Sequence, residues 1–294
     1  MKKIILLSLL ILAFAETLAA QASPVSYYSP ENILRFADFL FEEKEYARAA
    51  AEYQRYLILG DFRQRPADTI YHKIGKAYQL AQDYQRSSHV FQMIVDGFVQ
   101  SSWNEDAHWQ IALNHFFLGQ YDQSVSYAET CLPRVSSTDI QRKTRQLIGV
   151  NYMYHRKWKD ADLYFRTLIR QGASDPATGA LQTFAAQGLQ LPQKMKWLAG
   201  LMSAIIPGTG KIYSGRTTDG LLSLITIAAT GWQAYEGFHR DGTHSVRGWI
   251  FGSMCAYFYL GDIYGSIAAI QIFNSQNENK LLNQIGVSLR VFFQ

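Results

Sequence analysis

The residues with the most obvious chemical potential are Gly208-Thr209-Gly210-Lys211, a pairing of glycines and lysine of the kind that cradles phosphate. A phosphate loop of the G-x-x-x-x-G-K-[ST] type needs its first glycine to start the turn and its final hydroxyl to hold magnesium. Here Ile205 stands where the first glycine is required, and Ile212 stands at the hydroxyl position. No strand-like run precedes the motif, only the apolar stretch Trp197 to Ile206. The spacing therefore argues against a nucleotide site. The seven histidines (His72, His89, His108, His115, His155, His239 and His244) show no H-x-x-x-H or H-x-E grouping that would place two ligands on one helical face. No G-x-S-x-G elbow occurs, and neither a Ser/His/Asp nor a Cys/His constellation is legible. The reading is of a chain that is not an enzyme and carries no cofactor or metal.

The elements that must position any binding residues repeat. From Glu31 to Arg170, four segments align on Ala37, Gly75, Ala112 and Gly149, with steps of 38, 37 and 37 residues. The same alignment stacks Leu40, Tyr78, His115 and Tyr152, then Tyr46, Tyr84, Tyr121 and Trp158. It also stacks Ala49, Ser87, Ser124 and Ala161, then Tyr53, Phe91, Ala128 and Phe165. Small residues in two columns let paired antiparallel helices approach, and aromatics fill the space between pairs. This pattern resembles the tetratricopeptide (TPR) repeat, a helix-turn-helix unit that stacks into a solenoid. The spacing is longer than the usual ~34 residues and the terminal proline is missing; loops such as Gly60 to Pro66 and Pro133 to Asp139 take up the extra length. The resemblance implies a concave face lined by the first helix of each unit: Phe41, His72, Lys76, Gln79, Trp109, Leu113, Phe116, Gln146, Val150 and Met153. Such a groove would hold an extended peptide or an amphipathic helix, unless the chain's own next segment, Ala177 to Gln190, fills it as a solenoid cap.

Beyond Leu198 the character changes. Leu221 to Phe238 is polar only at Gln233 and Glu236, apart from small hydroxyls, and Gly248 to Phe273 has Asp262 and Gln271 as its only charged or amide residues. Between them runs a short polar link, 239–247. Each run has the length of a bilayer-crossing helix, with small residues for close packing and Trp and Tyr near the ends. The expectation is a transmembrane helical hairpin. The sequence Pro207-Gly-x-Gly-x-x-Tyr213-x-Gly215-Arg216-x-x-Asp219-Gly220, with Tyr259-Leu-Gly-Asp262-Ile-Tyr264 and Asn274 later, resembles the two-helix hairpin domains of bacterial envelope proteins, whose activity is unknown. Pro207, Gly208, Gly210, Lys211, Tyr213, Gly215 and Arg216 then form a hinge at the bilayer surface, with Lys211 and Arg216 offered to lipid phosphates. Asp262 is an intramembrane carboxylate that demands a partner; Arg216 is the expected one, with Tyr213 donating a hydrogen bond.

The N-terminus reads as a secretory signal peptide: Lys2-Lys3, an apolar run from Ile4 to Ala15, and Ala20-Gln-Ala22 as cleavage site. The expected organisation is signal peptide 1–22, repeat domain 23–192, hairpin 193–274 and tail 275–294, all-α except that Val287-Ser-Leu-Arg-Val-Phe alternates as a strand does. A formal charge of +4, with no polybasic block, argues against nucleic acid. Two cysteines, Cys131 and Cys255, are too few for a disulfide framework and read as small buried residues. The expected function is a periplasmic scaffold anchored in the inner membrane, binding a protein or peptide in its groove. The alternative is an accessory factor in membrane-protein biogenesis or transport whose hairpin touches the substrate.

Overall fold

The computed structural model describes residues 28–59, 66–173 and 175–292, and among them it is helical, with no strand. The signal peptide expected at 1–22 lies outside the described residues, as do 60–65 of the first long loop. The chain divides into two compact units, one ending at Asn151 and the other beginning at Tyr152.

The first unit holds α1 (Pro30–Glu42), α2 (Tyr46–Leu59), α3 (Ala67–Leu80), α4 (Tyr84–Gly97), α5 (Asn104–Phe117), α6 (Tyr121–Cys131) and most of α7 (Thr138–Tyr154). The period read from the sequence reappears in the backbone. Each tight turn between paired helices contains one left-handed residue, at Lys44, Gln82 and Gly119, and the 37-residue step continues to Arg156 in the second unit. The residue after each closes the same long hydrogen bond: Glu45 N to Leu40 O, Asp83 N to Tyr78 O and Gln120 N to His115 O, at 2.8–2.9 Å. These bonds satisfy carbonyls that the helix end would otherwise strand. The small-residue columns are fully buried, and a Cβ added at Gly75 would lie 2.7 Å from the ring of Phe91.

A buried polar ladder runs along the same period. Ser87 Oγ donates to Gly75 O (2.9 Å), Asn114 Nδ2 donates to Ser87 Oγ (2.9 Å), and Gln79 Nε2 donates to Asn114 Oδ1 (2.8 Å). One repeat later Ser124 Oγ donates to Ala112 O (2.7 Å) and Asn151 Nδ2 to Ser124 Oγ (3.0 Å). The residue equivalent to Gln79 is there Phe116, and Asn151 Oδ1 is left without a hydrogen-bond partner.

The second unit begins with the last turn of α7 and contains α8 (Trp158–Arg170), α9 (Pro176–Leu189), α10 (Lys196–Ile205), α11 (Thr209–Ser214), α12 (Thr217–Asp241) and α13 (Val246–Phe292). The segment expected as a cap is α9, started by Asp175 accepting from Thr178 N (3.1 Å) with Pro176 in the first turn. It packs on α8 closely enough that a Cβ at Gly188 would lie 2.1 Å from the ring of Trp158. The tail is no strand: α13 continues unbroken through it. Leu281, Ile285 and Leu289 are buried at four-residue spacing, and that helical stripe outweighs the short alternation at its end.

No helix among the described residues is long and apolar enough to cross a membrane. The expected crossing hairpin is corrected on this point. α12 and α13 have the length, but Gln233, Glu236, Asp262 and a high content of Gly, Ser, Thr, Trp and Tyr dilute their apolarity.

Candidate functional site

The hinge residues and Asp262 do come together, but inside the second unit and with a different partner. The chain reverses at Pro207-Gly208, where Gly208 adopts φ +86°, and again at Gly215 with φ +99°; the single-turn α11 is held between them. A Cβ on Gly208 would fall 2.0 Å from Gly220 O, so only glycine permits this backbone-to-backbone approach. The approach aims the Gly208 N–H at Asp262 Oδ2 (2.6 Å), while Lys211 Nζ reaches Oδ1 at 3.0 Å and also donates to Ser223 Oγ (2.7 Å). Beside it Ser203 and Ser266 share a hydrogen bond of 2.8 Å, and Gly210 N donates to Ser203 Oγ (3.1 Å). Tyr259 O–H donates to Ala204 O (2.5 Å).

The sequence-based partner for Asp262 is thus corrected. Arg216 is exposed and pairs with Asp219 (2.5 Å), and Tyr213 contributes its carbonyl oxygen to Lys194 Nζ (2.8 Å). Lys211 wins because α11 places it one turn after Gly208, on the side facing α13. Its charge is spent on Asp262, which removes it from the expected lipid-phosphate contacts. Asn274 clamps the entry to the module by bonding Lys194 twice, Oδ1 to its N–H and Nδ2 to its carbonyl, both 2.9 Å.

Burial around this centre is inverted relative to a water-soluble bundle. Ser203, Ser214, Thr230, Ser245, Asp262 and Ser266 are buried. Where α12 and α13 pack, the seam is made of small residues: a Cβ on Gly237 would lie 2.6 Å from Gly248 N, and Gly252 faces Ala234. The large apolar side chains point outward, among them Ile205 (72%), Leu222 (66%), Ile225 (65%), Trp232 (65%), Tyr257 (75%), Leu260 (66%) and Tyr264 (76%). Between Asp219 and Glu236 there is no charged residue over a rise of about 26 Å. Charge gathers at the far end of the hairpin, where Arg247 meets Gln233 and Glu236, and Arg240 pairs with Glu236 (2.5 Å).

The expected groove is largely closed. Gln79, Trp109, Leu113, Phe116, Gln146 and Val150 in the first unit are buried, as is Met153 in the second. The physical reason is that α5 is covered on nearly every side, from Ala107 through Phe116, and a helix buried all round has no face to offer. Phe41, His72 and Lys76 instead line a cleft of about 440 Å³ with Asp38, Glu42, Tyr53, Thr69, Lys73 and Trp103. Its polar groups are mostly paired internally. Lys73 Nζ and Tyr53 O–H both reach Asp38, at 2.5 and 2.6 Å. His72 Nε2 meets Asp106 at 2.7 Å and stacks on Trp103, and Lys76 donates to Gln79 (3.0 Å). Burial pulls the Lys76 ammonium below the usual lysine range.

Sequence reasoning missed one cluster. Cys131 Sγ lies 3.3 Å from His108 Nδ1, and the Tyr127 hydroxyl lies 3.0 Å from the same nitrogen. The two residues are 23 positions apart and sit on consecutive helices, so no short motif announces them. Burial pushes the Cys131 thiol up and the His108 imidazole down, so it favours the neutral form of both. Both cysteines are free thiols. Among the described residues no group of three or more His, Cys, Asp or Glu is arranged to hold a metal ion. Compared with family models, with characterised proteins and with solved structures, the chain matches none of them.

Proposed function

We propose that the protein is a non-enzymatic, membrane-associated scaffold of the cell envelope. The second unit seats its apolar exterior in lipid, and the repeats of the first unit present the cleft around Phe41, His72 and Lys76 to a protein or peptide partner. The observation that carries this reading is the inverted burial of α10–α13. Serines, threonine, glycines and an Asp–Lys pair are enclosed together with Ile227, Ala234, Ala269 and Ile270, while Leu, Ile, Trp and Tyr face outward on one side of each helix. In water such an exterior is a large exposed apolar surface of the kind that aggregates; in lipid, small and polar residues inside are what hold helices together. Insertion without crossing suits helices whose apolarity stops short of a span.

Vesicle flotation tests it. The full chain is expected to float with phospholipid vesicles in the absence of detergent, and the Leu222→Glu/Ile225→Glu variant is expected to remain in the dense fraction with its helical signal intact. A wild-type chain that stays monomeric in buffer and ignores vesicles would overturn the lipid seat. The cleft is tested separately, with a photo-crosslinker at Phe41 and a control at Glu129. Adducts at both sites, or at neither, would leave no case for the cleft.

A further inference from the structure

α13 passes through two surroundings, and the side chains mark where the change occurs. From Gly248 to Asn277 its only charged residue is Asp262, which is buried and neutralised by Lys211. Over that stretch the outward side chains include Trp249, Ile250, Tyr257, Leu260, Tyr264 and Ile272, with Gln271 an exposed amide near its end. From Gln276 onward the pattern inverts. Gln276, Asn279 and Lys280 are exposed, while Leu281, Ile285 and Leu289 are buried and Val287 is the one large apolar side chain left exposed among the described residues there. Glu278 pairs with Arg156 (2.9 Å), Arg156 also donates to Asn279 Oδ1 (3.1 Å), and Tyr154 O–H donates to Leu282 O (3.4 Å). The second half of α13 therefore has the ordinary polarity of a helix packed against protein in water, and it serves as an internal control for the first half. The change of polarity coincides with the clamp of Asn274 on Lys194. Basic residues collect at this level: Lys196 and Arg216 are exposed beside Lys194, against a single exposed acid, Asp219.

We infer that α13 leaves the lipid at Asn274, and that the rim formed by Lys194, Lys196 and Arg216 lies at the phosphate level of an anionic phospholipid surface. This rests on the lipid seat proposed above. A protein partner or a second copy would cover one side of the hairpin. The uncovered apolar positions form one face of α12 at 221–235, and further ones stand on α10 (Trp197, Leu201, Ile205) and on α13 (Tyr257, Leu260, Tyr264); apolar faces on three helices, bordered by the basic rim, suit an anionic lipid surface. Cations at the rim complement phosphate and attract anionic lipid by about fivefold per basic residue.

The test is a single-cysteine scan of the full chain, with Cys131 and Cys255 replaced by Ser and an environment-sensitive fluorophore placed at Tyr257, Tyr264, Ile272, Gln276, Lys280 or Val287. All six positions face outward, so labelling leaves the packing intact. With vesicles of phosphatidylcholine and phosphatidylglycerol, the first three labels are expected to shift to the blue and to lose quenching by aqueous iodide; the last three are expected to change in neither respect. A shift at Lys280 or Val287, or none at Ile272 while Tyr257 and Tyr264 respond, would overturn the boundary. No shift at any position would instead overturn the lipid seat itself. Lys196→Glu/Arg216→Glu is expected to weaken binding to the anionic vesicles by well over tenfold and to leave binding to pure phosphatidylcholine unchanged. Equal binding by variant and wild type would overturn the phosphate-level assignment of the rim.

Discussion

Lys211 closes an ion pair with Asp262, Nζ to Oδ1 3.0 Å, across fifty-one residues of chain and inside a module whose exterior is apolar. Ser223 Oγ accepts from Lys211 Nζ and the Gly208 N–H donates to Asp262 Oδ2, so both charged groups are also tied to the module by hydrogen bonds. Removing one partner of such a pair strands the other. Asp262→Leu is expected to cost about 3–5 kcal/mol of unit stability, and Lys211→Met/Asp262→Leu to recover part of it. Asp262→Asn keeps an acceptor for Gly208 and is expected to cost less than Asp262→Leu. Denaturant titration of the three variants decides; equal midpoints would mean the pair is not structural.

The two left-handed glycines flanking α11 make a contrasting pair. Gly208→Ala meets Gly220 O and is expected to prevent the loop from closing, which would be read as loss of a monodisperse folded species. Gly215→Ala has open space around it and suffers only the conformational penalty, about 1–2 kcal/mol. A mild effect of Gly208→Ala would show that the loop does not pack as described.

The periodic turns predict stabilisation. Gln82 holds φ +62° where the third repeat has Gly119 at φ +73°. Gln82→Gly removes the left-handed strain at the expense of a more flexible unfolded chain, and is expected to raise stability by up to about 1 kcal/mol. Thermal denaturation measures it, and a lowered midpoint would contradict the prediction.

His108 predicts a pH dependence. Burial, followed by the charge of Arg134, lowers its folded pKa, so the unfolded chain binds the proton more readily. The stability contributed by neutral His108 is therefore complete above the unfolded value of about 6.5 and declines as pH falls through it toward the lower folded value. His108→Phe is expected to flatten this part of the profile, and urea midpoints between pH 5 and 8 would reveal it. An unchanged slope would assign the acid sensitivity to another group.

Much of the first unit was legible before any coordinates, because its period is written twice, once in side-chain size and once in turn position. Ala37, Gly75 and Ala112 stand in the column that proves to be buried. What could not be read was which helices end up with no free face. α5 carries Trp109, Leu113 and Phe116 at groove positions, but the number of layers around a helix is a tertiary property that no spacing encodes. The partner of Asp262 was missed for a related reason. Arg216 and Lys211 are only five residues apart, and the reversal at Gly208 decides which of them turns inward. In the tail, six alternating residues suggested a strand, whereas the deciding signal was the longer stripe of Leu281, Ile285 and Leu289.

The unbroken course of α13 has a thermodynamic consequence. Within the second unit the same helix carries the apolar exterior and, through Leu282, Glu278 and Asn279, holds Tyr154 and Arg156 at the turn between α7 and α8. Anything that binds the folded helix and not the unfolded chain stabilises every element that must unfold with it. Lipid would then act as a ligand of the fold, and its withdrawal would loosen the last repeat along with the hairpin.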